Sequence, residues 1–172
     1  GGDVVATALD DGGVQVLQAA TSDPTWADEK QAVALAGDDE LLVIARMSGD
    51  LVARDLHGGE LRWGVTLGAF VPDALAVEGG RVLAGLMSGQ VVELATLDGS
   101  EKARTTLPAP LAAPMRQGVA VLQGREGCAV VLGAEQTVCV DHQLRGAAVV
   151  KEGVLMLAPR DGRVLGFRLK VP

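Results

Sequence analysis

The sequence predicts an all-β protein, a β-propeller built of about five four-stranded antiparallel blades within a single repeat domain. Three observations carry this reading. Turn glycines recur at near-constant spacing: Gly12, Gly49, Gly89, Gly127 and Gly162 stand 37, 40, 38 and 35 residues apart. Between them lie short apolar runs bounded by Gly, Asp and Ser, the pattern of strands joined by tight turns. No segment of useful length repeats its apolar residues every 3.6 positions, which disfavours helical and leucine-rich repeats. Units of about 40 residues made of short strands are propeller blades, whereas a β-helix needs a shorter rung.

The clearest unit spans residues 51–67. Residues 51–56 (L-V-A-R-D-L) form a short apolar strand, and His57-Gly58-Gly59 turns the chain. Leu61, Trp63, Val65 and Leu67 then alternate with Arg62, Gly64 and Thr66, as expected of a strand with one face in a core. Trp63 points into that core on this reading.

Weaker copies run from end to end. Residues 4–9 and 14–17 are strands around the Asp10-Asp11-Gly12-Gly13 turn, and residues 21–24 are a connector leading to Trp26. Residues 41–45 (L-L-V-I-A) follow a turn at 37–39. The triplets Met47-Ser48-Gly49 and Met87-Ser88-Gly89 are identical and 40 residues apart. Strands are expected at 74–77, 81–86 and 91–94, with turns at 78–80, 88–90 and 97–100. Pro108, Pro110 and Pro114 mark an exposed connector, because proline cannot donate to a strand ladder. Further strands are expected at 118–123, 128–132, 137–140, 153–158 and 164–169, with turns at 125–127 and 160–162. The units fall at approximately 1–32, 33–70, 71–110, 111–146 and 147–172.

Bulk composition narrows the function. The chain has 172 residues, 48% of them hydrophobic and 22% charged, which suits an ordinary globular domain. Aromatics are only 2%, so the core must be built of Val, Leu and Ala. A formal charge of -7 argues against nucleic-acid binding and against an anionic membrane surface. No run of about 18 uncharged apolar residues exists, so no membrane span is expected, and no secretory leader is read at the start.

The segment Ala53-x-Asp55-x-x-Gly58-Gly59-x-x-x-Trp63 resembles the docking motif of the PQQ-like β-propeller repeat family, Ala-x-Asp-x-x-Thr-Gly-x-x-x-Trp. Gly58 stands where that motif has threonine. The same window started at Val16 puts Thr21 and Trp26 in the threonine and tryptophan slots. Started at Glu93, it puts Asp98-Gly99 at the turn and Ala103 in the tryptophan slot. The fourth unit does not fit, and the fifth ends before the slot. The resemblance implies a structural role for Ala53, Asp55, Gly59, Trp63 and Trp26: the tryptophan packs on the neighbouring blade and its indole N–H seeks a backbone acceptor.

The family includes quinone-dependent dehydrogenases and non-enzymatic members such as BamB-like lipoproteins of outer-membrane assembly. The dehydrogenases imply a larger ring, a calcium site, axial aromatics and often a disulfide between adjacent cysteines. This chain is short and poor in aromatics, and Cys128 and Cys139 are far from adjacent, so no enzyme activity and no cofactor are expected.

The first unit begins with what reads as its second strand, and the last stops after its third. Three arrangements fit: a five-bladed ring closed by both termini, a piece of a seven- or eight-bladed ring, or an open arc completed by another chain. The last implies a homo-oligomer through open blade edges.

If residues 133–134 make a two-residue hairpin, Cys128 faces Cys139, and the pair is either a cross-strand disulfide, pointing to an oxidising compartment, or two small buried apolar side chains. Two cysteines with His57 and His142 in unrelated units do not make a zinc site, and neither histidine has a nucleophile beside it. The turn aspartates are expected to bond their own backbone rather than calcium.

The expected function is therefore a non-enzymatic protein–protein interaction scaffold, placed by resemblance in the periplasm or cell envelope of a bacterium, with the cytoplasm as the alternative. Candidate partner-rim residues are Ser48, Gly49, Asp50, Ser88, Gly89, Gln90, Arg125, Glu126, Arg160 and Asp161, which occupy equivalent turns in successive units. Each also reads as a plain hairpin residue. The alternative function is a ligand-binding or sensor propeller of a larger signalling protein, with its pocket near the axis.

Overall fold

The computed structural model of the chain describes residues 3–111, 115, 119–122, 124, 126–132, 136–145 and 148–169, Asp73 through its backbone alone. The architecture is a β-propeller of antiparallel sheets, each a simple up-and-down meander. The first sheet holds β1 (Val4–Ala8), β2 (Val14–Gln18) and β3 (Pro24–Asp28). The second holds β4 (Ala32–Gly37), β5 (Leu41–Arg46), β6 (Asp50–Asp55) and β7 (Leu61–Thr66). The third holds β8 (Phe70–Glu78), β9 (Arg81–Leu86), β10 (Gln90–Ala95) and β11 (Glu101–Thr106). The fourth has β12 (Val119–Val121), β13 (Gly127–Val131) and β14 (Gln136–Val140), and the fifth β15 (Val149–Lys151), β16 (Val154–Leu157) and β17 (Leu165–Arg168). A single bridge joins Leu111 to Leu122 ahead of the fourth sheet.

The core is divided into layers between successive sheets. Val14 and Val16 of the first sheet pack on Leu42, Ile44 and Val52 of the second. Val43, Ala45 and Leu51 pack with Leu75, Val82 and Val92 of the third. Leu83 and Val91 meet Leu111, Met115, Leu122 and Val130. Val119, Val121 and Val131 meet Leu155 and Leu157 of the fifth. Middle strands are therefore covered on both faces, and all six residues of β5 are buried. This is why residues 41–45 read as a continuous apolar run instead of an alternating one. Among the described residues, no apolar cluster joins the fifth sheet to the first.

Four strands escaped the sequence reading: β3, β4, β11 and β15. β11 (E-K-A-R-T-T) is an outer strand whose residues are mostly exposed, so it carries no apolar alternation. β4 (A-V-A-L-A-G) is small and half-buried along most of its length, and β15 is only three residues long. Residues 21–24 were expected to be a connector throughout, yet Pro24 opens the edge strand β3, where a missing N–H costs no ladder bond. The alternation expected of Leu61 also fails. Ala53 pairs with Trp63 but Arg54 pairs with Leu61, so Arg62 is an extra, bulged residue. Trp63 is buried, whereas Leu61 is 59% exposed. The strand expected at 118–123 is found as β12 over Val119–Val121, whereas the 133–134 turn lies outside the described residues.

Candidate functional site

The bulge at Arg62 has counterparts. Val16 pairs with Trp26 and Leu17 with Pro24, which leaves Thr25 extra. Glu93 pairs with Ala103 and Leu94 with Glu101, which leaves Lys102 extra. Three outer strands thus present Trp26, Trp63 and Ala103 at one equivalent position. The two indoles then dock alike on the next sheet. Trp26 Nε1 donates to the Leu56 carbonyl at 2.9 Å, and Trp63 Nε1 donates to the Thr96 carbonyl at 2.7 Å. Each ring lies on the turn glycine after that carbonyl. A Cβ on Gly59 would sit 2.7 Å from Trp26 Cγ, and one on Gly99 would sit 2.6 Å from Trp63 Cε3. Both glycines have positive φ, 78° and 70°, so glycine is required twice over.

Asp55 organises the turn that receives Trp26. Its carboxylate accepts the His57 and Gly58 N–H groups, at 3.0 and 2.9 Å, and an ion pair from Arg62. The Gly58 N–H and the Arg62 guanidinium hold its pKa down to about 2. At the next turn Asp98 accepts the Ser100 N–H at 2.9 Å, and its contacts with Ser100 lower its pKa. Ala53 is fully buried opposite Trp63.

A charged knot ties the first two sheets together. Asp28 Oδ2 lies 2.6 Å from Arg46 and 3.0 Å from Arg54, and Oδ1 accepts the Lys30 N–H at 3.1 Å. Arg54 also donates to the Gly59 carbonyl at 2.7 Å, and its guanidinium lies over the Trp26 ring at 5.9 Å. Burial alone would raise the Asp28 pKa; the Lys30 N–H and the Arg46 bond and charge outweigh it and bring the pKa below the usual carboxylate range. The side chains of Asp28 and Arg46 are 3% and 7% exposed, so neither is available to a ligand.

Residues 48–50, 88–90 and 160–161 lie at turns joining the second strand of a sheet to the third, and Glu126 lies between β12 and β13 of the fourth sheet. The Gly49 and Gly89 carbonyls accept the N–H of Leu67 and Leu107, tying each turn to the segment that leaves its sheet. The polar groups are largely occupied locally. Asp50 accepts Ser48 Oγ at 2.8 Å and Thr66 Oγ1 at 2.6 Å, and the Thr66 hydroxyl leads in lowering its pKa. Gln90 accepts Arg104 at 3.1 Å. Asp161 accepts the Arg163 N–H and guanidinium, its pKa lowered chiefly by that guanidinium, and lies 3.7 Å from His142. Ser88, Glu126 and Arg160 are exposed, and Arg125 lies outside the described residues.

The rim also exposes apolar side chains. Met47 and Met87 are 67% and 71% exposed, and Leu9 and Val164 flank the equivalent turns of the first and fifth sheets at 41% and 73%. Sequence reasoning missed these side chains. Their signal in the sequence is the identical Met-Ser-Gly triplets, whose methionines immediately precede the turn residues.

Cys128 and Cys139 face each other on β13 and β14 and are joined as a disulfide, with Cα atoms 4.1 Å apart. Among the described residues, Glu126, Cys128 and Cys139 form the one group with metal-ligating atoms close together, and the disulfide removes both thiolates from it. His57 is an exposed turn residue. No helix in the described structure is long and apolar enough to cross a membrane.

Residues 1–169 match the family described as outer membrane protein assembly factor BamB. No curated protein is significantly similar in sequence. Among solved structures, BamB from Moraxella catarrhalis superposes with a TM-score of 0.62 at 19% identity, over 97% of this chain and 63% of that one. The computationally designed Ika8 protein gives 0.72 at 18% identity, over 98% of this chain and 56% of that one. Dihydro-heme d1 dehydrogenase NirN, in complex with DHE, gives 0.64 at 22% identity, over 98% of this chain and 43% of that one. The chain therefore spans less than two thirds of each of these structures, and the likeness is one of fold.

Proposed function

Since the chain belongs to the BamB-like family of PQQ-type propellers, which it matches over residues 1–169, we propose that it is a non-enzymatic protein–protein interaction scaffold of the bacterial cell envelope. The family match is the observation that carries the reading. The layered frame supports it, because Trp26 and Trp63 staple successive sheets to one another through the turns at 56–59 and 96–99. At the opposite end of the sheets, exposed Met47 and Met87 on the rim turns supply adaptable apolar contacts of the kind used at protein interfaces. The Cys128–Cys139 bond agrees with an oxidising compartment such as the periplasm.

The test is site-specific photocrosslinking in cells that export the chain to the periplasm. A photoreactive residue at position 47 or 87 is compared with one at Leu97, which is 87% exposed on the turn between β10 and β11 at the opposite end. The expected result is an adduct with one defined envelope protein from 47 and 87, several-fold above that from 97. Equal labelling at both ends, or no adduct at 47 and 87, overturns the rim assignment.

A further inference from the structure

The first strands of the second, third and fifth sheets converge, with Met115, around a cavity of about 400 Å³. Its apolar wall includes Ala36, Ala76, Val77, Met115 and Val149. Among the described residues, one charged side chain, Glu78, lines it at the end of β8. Glu78 Oε1 is withdrawn from solvent and receives no hydrogen bond among the described residues. Arg81 approaches it only to 3.8 Å and lies nearer Glu93, at 3.4 Å. One guanidinium thus faces two carboxylates, and the group carries a net charge of one negative.

We propose that this cavity binds a small organic cation, an amine or quaternary ammonium with a short apolar body, whose nitrogen pairs with Glu78 and whose carbons lie against Met115 and Val149. The chemistry follows from the lining. A buried carboxylate oxygen without a donor is costly and is relieved by an N–H or cationic partner. A concave wall that sets apolar side chains beside one placed charge suits a ligand that is apolar at one end and cationic at the other. Among the described residues, the wall offers a metal ion a single carboxylate, too few charged oxygen ligands for calcium or magnesium. This site is separate from the turn rim and does not depend on the scaffold reading.

The chain has four methionines, so a protein labelled with ¹³C-methyl methionine gives four signals that report separate places. Met115 is 2% exposed and lines the cavity, while Met47 and Met87 report the rim. The probes are hexylammonium, hexanol and hexanoate. The expected result is a saturable shift of Met115 with hexylammonium at a concentration at least tenfold below that needed with hexanol or hexanoate, while Met47 and Met87 stay still. Glu78→Gln should abolish that tenfold preference and leave the hexanol response. Ala76→Leu, which fills the cavity from a half-buried position, should remove the Met115 response to every probe. Equal responses to hexylammonium and hexanol in the unsubstituted protein overturn the proposal. So does a Met115 that does not move, or one that moves only together with Met47 and Met87.

Discussion

The indole N–H of Trp63 donates to the carbonyl of Thr96, 33 residues away and on the next sheet, at 2.7 Å. The same ring covers Gly99, whose φ is 70°. One side chain therefore satisfies a backbone acceptor, closes the inter-sheet layer and demands glycine at a fixed place. Gly99→Ala should be costly, since its Cβ would meet the ring at 2.6 Å. Left-handed backbone strain and overpacking together predict a loss of about 2–5 kcal/mol. Gly89→Ala, at φ 79° with open space around the added methyl, should lose only about 1–2 kcal/mol. Urea unfolding followed by tryptophan fluorescence measures both, and equal losses would show that the ring contact is unimportant.

Removing the indole while keeping an aromatic ring separates its two roles. Trp63→Phe should cost about 1–3 kcal/mol, through lost packing and a Thr96 carbonyl left without its donor. Trp63→Ala should cost about 3–5 kcal/mol because a cavity opens between the second and third sheets. Hydrogen exchange should show the new lability concentrated at the turn before Ser100, and uniform lability across all sheets would count against docking as the cause.

The charge knot predicts an asymmetric response. Asp28→Asn leaves Arg46 buried without its counter-charge and should destabilise by about 3–5 kcal/mol. Replacing both Asp28 and Arg46 with apolar residues of similar size should recover much of that loss. A double variant no more stable than Asp28→Asn in chemical denaturation would contradict the account.

Acid stability should follow from the same carboxylates. The folded-state pKa values of Asp28 and Asp55 are depressed, the latter to about 2. A depressed carboxylate stabilises the fold above its unfolded pKa of about 3.9, and that contribution disappears as pH falls through the folded pKa. Unfolding free energy should therefore drop between about pH 4 and 2. In Asp55→Asn that drop should be shallower, because one of the depressed groups is gone. An unchanged slope would remove Asp55 from the explanation.

The disulfide closes a short loop, with its cysteines 11 residues apart. Loop-closure entropy predicts that reduction, or the double replacement of Cys128 and Cys139 by Ser, costs about 3 kcal/mol. β14 should fray first, since it is the outer strand of its sheet. Hydrogen exchange on the reduced protein checks this, and protection lost equally in the first sheet would speak against it.

The blade rhythm was legible because its signals are local. A tight hairpin needs glycine and a half-buried strand needs alternation, so Gly49, Gly89 and residues 81–86 announced themselves without knowledge of any neighbour. Trp63 was legible as a core-facing residue for the same reason, and its motif through the family resemblance. β11 and β4 were not: an exposed outer strand and a small inner one are held by their ladders, and neither writes a strong pattern into the chain. The bulge that turns Leu61 out to solvent depends on which residue of β6 it pairs with, which no count of alternation reveals. The linking of Trp26 to Leu56, of Asp28 to Arg46 and Arg54, and of Glu78 to a cavity shared with Met115 and Val149 joins residues from different sheets. By itself the sequence determined the repeating hairpins, because those follow from backbone preference and periodicity over a few residues, while the docking role of Trp26 and Trp63 was an expectation from the family resemblance. Only the tertiary structure decided which carbonyl each indole meets, which charges are buried together and where a carboxylate lacks a donor, because such contacts arise from how whole sheets stack.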